Sequence, residues 1–217
     1  MAYRRTDQIT ARLAQNRRDI LNAAREIVAK NGFGAAQMSE VAKRAGVATG
    51  TLYRYFASKE EICRQVFREV SAREMNILAG IAAGDAPASE RLEKVLTSFA
   101  GRAIQGRRLA YALLAEPVDQ GLTEERARFR RTHAEIFASI VEDGVTSGEF
   151  APCDTRLIAA CMAGAIPTAL IGPLAPDSDD LDENADRIVN EIVNFCFSGI
   201  TRAAQRPARQ QDERTAP

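Results

Sequence analysis

An all-α fold follows from three features of the chain. Apolar residues recur at helical spacing along nearly its whole length, breakers rich in glycine and proline separate the recurrent segments, and no stretch alternates apolar and polar residues with strand period. With 217 residues and 46% hydrophobic content, the chain has enough apolar material for one ordinary core and a smaller one.

The elements fall out in order. Ile20, Ala23, Ala24, Ile27 and Val28 mark a first helix that stops at Asn31-Gly32, where glycine suits the left-handed end of a helix. The run MSEVAKRA, 38–45, makes a short second helix ending at Gly46, and a third is expected over 49–56. Ser58 reads as an N-cap, with Glu61 three residues later completing a capping box; a long helix with Ile62, Val66, Phe67 and Val70 inward then runs to the breakers GDAPAS. Helical spacing continues through Leu92–Phe99, Leu109–Leu114 and Phe129–Ile140. Two late segments, 157–170 and 188–200, are apolar over more than one face. They predict a homodimer seam of paired helices formed by Leu157, Cys161, Ile188, Ile192, Val193, Phe195 and Cys196. The tail beyond 203 holds nothing larger than alanine or proline on its apolar side and is expected to be disordered.

Charge divides the chain. Residues 1–60 carry eleven Lys/Arg against five Asp/Glu, while the net charge of the whole is zero, so a basic head sits on an acidic body. That asymmetry suits a head that meets phosphate. Uninterrupted apolar runs such as 158–166 fall short of the roughly 20 residues of a membrane span, and the basic N-terminus has no apolar core behind it, so no membrane partner, no signal peptide and a cytoplasmic location are expected. Four cysteines without CxxC spacing argue against a metal site; Cys63, Cys161 and Cys196 read as buried apolar residues. The run 180–191 carries Asp180, Asp182, Asn184 and Glu191 at calcium-loop positions. Ala185 stands where the sharp turn wants glycine, and an apolar helical stripe begins at 188, so an acidic helix start is the better account.

Two short helices joined at Gly46 make a helix-turn-helix over about 39–58. Ala42, Gly46, Val47 and Leu52 serve as scaffold. Thr49, Gly50, Thr51, Tyr53, Arg54 and Tyr55 project from the recognition helix with hydroxyls and a guanidinium suited to phosphates and base edges. Arg54 is the best reader of guanine, and Lys59 can join free helix N–H groups in holding a phosphate.

The stretch from ILNAAREIVAKNGF through MSEVAKRAGVATGTLYRYFASKEEI resembles the TetR family of bacterial transcriptional regulators. The resemblance implies a dimeric regulator of double-stranded operator DNA, with Tyr53 and Lys59 on phosphates, Phe56 as a core anchor, and Thr49, Thr51, Arg54 and Tyr55 facing bases or backbone. Two positions depart from the family: Ala36 and Ala48 stand where Ser or Thr commonly caps the next helix, a loss of about 1 kcal/mol each. Gln37 and Thr49 are the residues able to compensate, and Gln37 becomes a candidate phosphate contact.

The resulting organisation is a flexible basic arm, 1–15; a DNA-binding domain, 16–76; a helical effector-binding and dimerisation domain, 77–203; and the tail, 204–217. A small-molecule effector relieving repression is what the resemblance implies. Phe99, Arg102, Tyr111, His133 and Met162 are candidate pocket residues, and Pro167 either kinks or ends its helix. Walker, GxSxG and HExxH motifs are missing and one histidine limits triads, so no cofactor and no enzymatic activity are expected.

Overall fold

The structure, a computed structural model, describes residues 2–201, and the tail expected over 204–217 lies outside them. Among the described residues the elements are α1 (Ala2–Asn31), a 3-10 turn (Phe33–Ala35), α2 (Met38–Arg44), α3 (Thr49–Leu52), α4 (Lys59–Ala82), α5 (Ala88–Gln105), α6 (Arg107–Leu114), α7 (Gln120–Ser147), α8 (Thr155–Leu174) and α9 (Asp180–Thr201), with no strand.

Two apolar cores share this set. The head core joins Ile20, Leu21, Ala24 and Val28 of α1 to Val41, Leu52 and Phe56 and to the first half of α4, Ile62 to Phe67. Ala112 of α6 and Leu122 of α7 also enter it. The body core takes Leu78 and Ala82 from the far end of α4 and packs them with α5, α7, α8 and α9. α4 therefore belongs to both cores, and α6 lies where they meet. Ion pairs clasp α4 to α7 and its N-cap: Arg64–Asp119 at 3.1 Å and Arg68–Glu125 at 2.5 Å, the latter holding the buried Glu125 carboxyl below its usual pKa.

Local chemistry explains most boundaries. Gly46 adopts φ 68°, the left-handed turn that a side chain would resist. Ser58 accepts from the Glu61 amide, while the Glu61 carboxylate reaches one residue further back than a capping box predicts, to the Ala57 amide at 2.7 Å. Asp119 and Asp154 cap α7 and α8 through the amides of Leu122 and Leu157.

Several expectations are corrected. The segment 2–15 is not a flexible arm but the first turns of α1, because no glycine or proline interrupts helix before Gly32. The recognition element stays α-helical only to Leu52 and then tightens, with Arg54 and Tyr55 donating to the carbonyls three residues back. α8 runs through Pro167 to Leu174, so that proline does not end it. By length and composition α8 could cross a membrane; after Arg156 its apolarity is broken only by small neutral residues, which hid its length. Here Ala159, Met162, Ala163, Ile166 and Leu170 are buried in the body core. Cys161 is exposed, not buried, and Ile192 and Cys196, assigned to a seam, are used up in the chain's own core. Leu157 and Phe195 remain 60% and 65% exposed, with Ile188 and Val193 half-buried.

Candidate DNA interface and effector cavity

Leu52 and Phe56 turn inward into the head core, leaving Thr49, Gly50, Tyr53 and Arg54 exposed on one side of the recognition element. Thr51 is half-buried beside them. Tyr53, 53% exposed, has a free hydroxyl end for a backbone phosphate. Tyr55 differs: it is half-buried, and its hydroxyl accepts from the Asn16 side-chain amide at 3.2 Å, tying the recognition element to α1. The contact orients the ring towards α1, while the hydroxyl keeps its own proton to donate. Arg17 of α1 lies over the Phe56 ring at 5.1 Å.

The lost caps have a visible outcome. Gln37 takes the N-cap position of α2 but makes no side-chain cap; its amide donates instead to the Gly34 carbonyl at 3.0 Å. Lys59 Nζ donates to the same carbonyl at 2.9 Å. Gln37 and Lys59 thus converge on one oxygen beside the first turn of α4, where two of the three ammonium protons stay available to a phosphate. Ala48 caps α3 with no side-chain bond.

The body contains a cavity between α4, α5, α6, α7 and α8, walled by Phe67, Val70, Phe99, Leu109, Leu113 and Phe129. Arg102, Arg126 and Arg130 stand at its edge with Glu74. Arg102 is neutralised by Glu74 at 2.7 Å. Arg126 and Arg130 are in no ion pair among the described residues. Arg126 donates instead to the carbonyls of Ala112, Leu113 and Glu116, the C-terminal end of α6, and burial lowers its pKa first of all causes. The cavity and the α6 terminus therefore share one guanidinium.

Of the predicted pocket residues, Phe99 and Arg102 reach the cavity. Tyr111 sits beneath Arg108, and Met162 is buried in the body core. His133 is fully buried with both ring nitrogens unpartnered, packed on Phe99, Phe129 and Phe137 at 4.8, 5.9 and 4.6 Å between ring centroids. Burial alone pushes its pKa down to about 4, keeping it neutral. Sequence reasoning missed Arg126 and Arg130, although with Phe129 they form an i, i+3, i+4 row on α7 that is a legible signal.

α6 also holds the head. Arg108 pairs with Glu116 and donates to the Asn31 carbonyl at 2.9 Å, while the Phe33 amide donates to Glu116 Oε2 at 2.7 Å. Beside Arg108 at the same N-terminal end of α6, Arg107 donates to the carbonyls of Leu174, Ala175 and Ser178 at and after the end of α8.

Family models match both parts: bacterial regulatory proteins of the tetR family over residues 20–66, and the tetracyclin repressor-like C-terminal domain over 85–169. The chain belongs to the TetR family. It is 31% identical over 185 residues to the fatty acid metabolism regulator protein of Bacillus subtilis, covering 83% of this chain and 93% of that one. The crystal structure of the transcriptional regulator FadR from Bacillus subtilis in complex with stearoyl-CoA matches with TM-score 0.71 and 27% identity, over 84% of this chain and 98% of that one. A shorter match, 56% identical over 45 residues, is to the HTH-type transcriptional repressor KstR of Mycolicibacterium smegmatis, covering 21% of this chain and 22% of that protein. As a TetR-family member, the protein is a DNA-binding transcriptional regulator.

Proposed function

We propose that this TetR-family protein is a cytoplasmic homodimeric repressor, without enzymatic activity, that is released from a palindromic operator by an acyl-CoA thioester or a similar long-chain amphiphile with an anionic head. The observation that carries the reading is the cavity: apolar walls for a hydrocarbon chain, bounded by two guanidiniums, Arg126 and Arg130, that no carboxylate neutralises among the described residues. Arg126, partly buried and without an acid partner, favours an anionic ligand group, and the exposed Arg130 one turn on adds a second positive charge. The fatty acid metabolism regulator and the stearoyl-CoA complex among the relatives support the same chemistry.

The proposed reading set is Gln37, Thr49, Gly50, Thr51, Tyr53, Arg54 and Lys59. One such short element contacts too few base pairs for selectivity, and twofold duplication over half-sites about 34–36 Å apart supplies the rest. The exposed Leu157, Cys161 and Phe195, flanked by Ile188 and Val193, offer the apolar patch for the second copy. An anion drawing Arg126 from the α6 carbonyls would loosen α6, whose Arg108 and Glu116 hold the head, and a small change in head spacing costs one head its contacts.

Gel shifts against DNA flanking the protein's own gene test this, with acyl-CoAs of graded chain length, free CoA and free fatty acids added. Release by long-chain acyl-CoA, and its loss in Arg126→Gln, is the outcome the proposal requires. Operator binding and thermal stability indifferent to every acyl-CoA would exclude it.

A further inference from the structure

α1 is 30 residues long, yet its packing into the head begins at Ile20. Gln8 to Gln15 are all exposed, including Ile9 at 55% and Leu13 at 48%. The helix therefore continues beyond the head by residues 2–15, roughly 21 Å at 1.5 Å per residue.

Contacts at the two ends of the packed part fix the direction of this extension. The C-terminal end of α1 lies against the body, where Arg108 donates to the Asn31 carbonyl at 2.9 Å. The other end emerges at the recognition element, with Asn16 bonded to Tyr55 and Arg17 over Phe56. The extension leaves the head at the recognition element, at the end of α1 opposite the one held by Arg108.

Its charge suits what lies there. Residues 2–18 hold Arg4, Arg5, Arg12, Arg17 and Arg18 against Asp7 alone. Arg12, one turn before Asn16, falls in the same helical row, so positive charge continues outward from the recognition element along the exposed Gln8–Gln15 stretch. A solvated helix face normally mixes both signs, and this one has nearly a single sign.

We infer that the projecting turns of α1 are a second DNA-binding surface, which grips the phosphates of the duplex flanking each half-site. This rests on the reading of the head as a DNA reader and adds to it: a rigid helix of roughly 21 Å spans about six base pairs at 3.4 Å per step. Contacts of this kind position the protein and raise affinity without reading sequence.

The test is the full-length triple variant Arg4→Gln, Arg5→Gln, Arg12→Gln against operator DNA with long flanks and with flanks trimmed at the half-sites, each titrated over salt. Each neutralised phosphate contact contributes about 0.9 to the slope of log K against log salt. The parent should lose about tenfold or more in affinity on trimming, and the variant should lose little further. On long DNA the variant's slope should fall by about 2 to 3 per head, with operator-to-random selectivity kept. An unchanged slope and the same flank dependence in the variant overturn the inference. So does a protein-interface outcome, in which Ile9→Ala with Leu13→Ala changes self-association of the DNA-free protein while the arginine variant binds as the parent does. Absence of salt-sensitive binding by the parent itself is a separate failure, that of the head as a DNA reader.

Discussion

The Phe33 backbone amide, in the head, donates to the Glu116 carboxylate, just beyond α6, at 2.7 Å, and the same carboxylate pairs with Arg108. One acid thus joins the turn after α1 to both ends of the helix that borders the cavity. Glu116→Ala is expected to lose about 1–3 kcal/mol, since it leaves the Phe33 amide without its acceptor and Arg108 without its acid partner. It should also weaken effector-driven release more than DNA affinity itself. Chemical denaturation and effector-titrated gel shifts check the two parts. Gly32→Ala should act at the same joint: φ is 81°, a conformation that costs an L-residue about 1–2 kcal/mol, and the added methyl would fall on the Arg108–Glu116 pair. A Gly32→Ala protein with parental stability and parental release would remove the joint from the coupling path.

Three substitutions in the head separate base reading, phosphate binding and packing. Arg54→Ala should cost about 1–3 kcal/mol of operator binding and relax selectivity, because its exposed guanidinium is free to reach a base edge. Lys59→Ala should weaken operator and random DNA alike and lower the salt slope by about 1 per head. Tyr55→Phe should leave selectivity intact, because the half-buried ring is turned towards α1, where its hydroxyl accepts from Asn16. Competition gel shifts with operator and scrambled DNA resolve all three, and a relaxed selectivity in Tyr55→Phe would return that residue to the readers.

Two glycine-to-alanine changes should have opposite signs. In α7, a methyl at Gly144 would enter the Phe150 ring, and overpacking of that kind costs about 1–3 kcal/mol. In α5, Gly101 has open space where its methyl would stand, so Gly101→Ala should stabilise by up to about 1 kcal/mol through helix propensity. Urea midpoints moving in the same direction for both would show that local space does not decide these sites.

The head was legible because its signals are local: the stop at Gly32, the turn at Gly46 and the cap at Ser58 each act within a few residues. The cavity was harder to read because it exists only where five helices cross. Periodicity placed His133 and Phe129 on one stripe of α7, but the crossing of α5 and α8 sets the cavity along Arg126, Phe129 and Arg130, a turn nearer the N-terminus. Spacing alone also cannot divide the wide apolar stripe of α9. Ile192 and Cys196 go to the chain's own core while Phe195, between them in sequence, faces out. The extension of α1 was missed because polar composition resembles an arm, whereas continuity of helix depends on the absence of breakers.

The single histidine gives the protein a defined acid weakness. His133 has an ordinary pKa near 6.5 when unfolded and about 4 in the buried ring cluster, so between those values the unfolded chain binds the extra proton and the folded one does not. Stability is then complete above about 6.5 and falls with decreasing pH by up to about 1.4 kcal/mol per unit, until about 4. A carboxylate follows at lower pH: Glu149, which accepts from the Ala88 and Ser89 amides at the start of α5, is held at about 2 against 4.5. Its contribution is present above 4.5 and is lost as the pH falls towards 2. His133→Leu should therefore flatten the upper window and leave the lower one, which urea unfolding at pH 7, 5.5, 4.5 and 3 would read directly. An equal loss of stability in the variant from pH 7 to 5 would show that His133 is not the group that titrates.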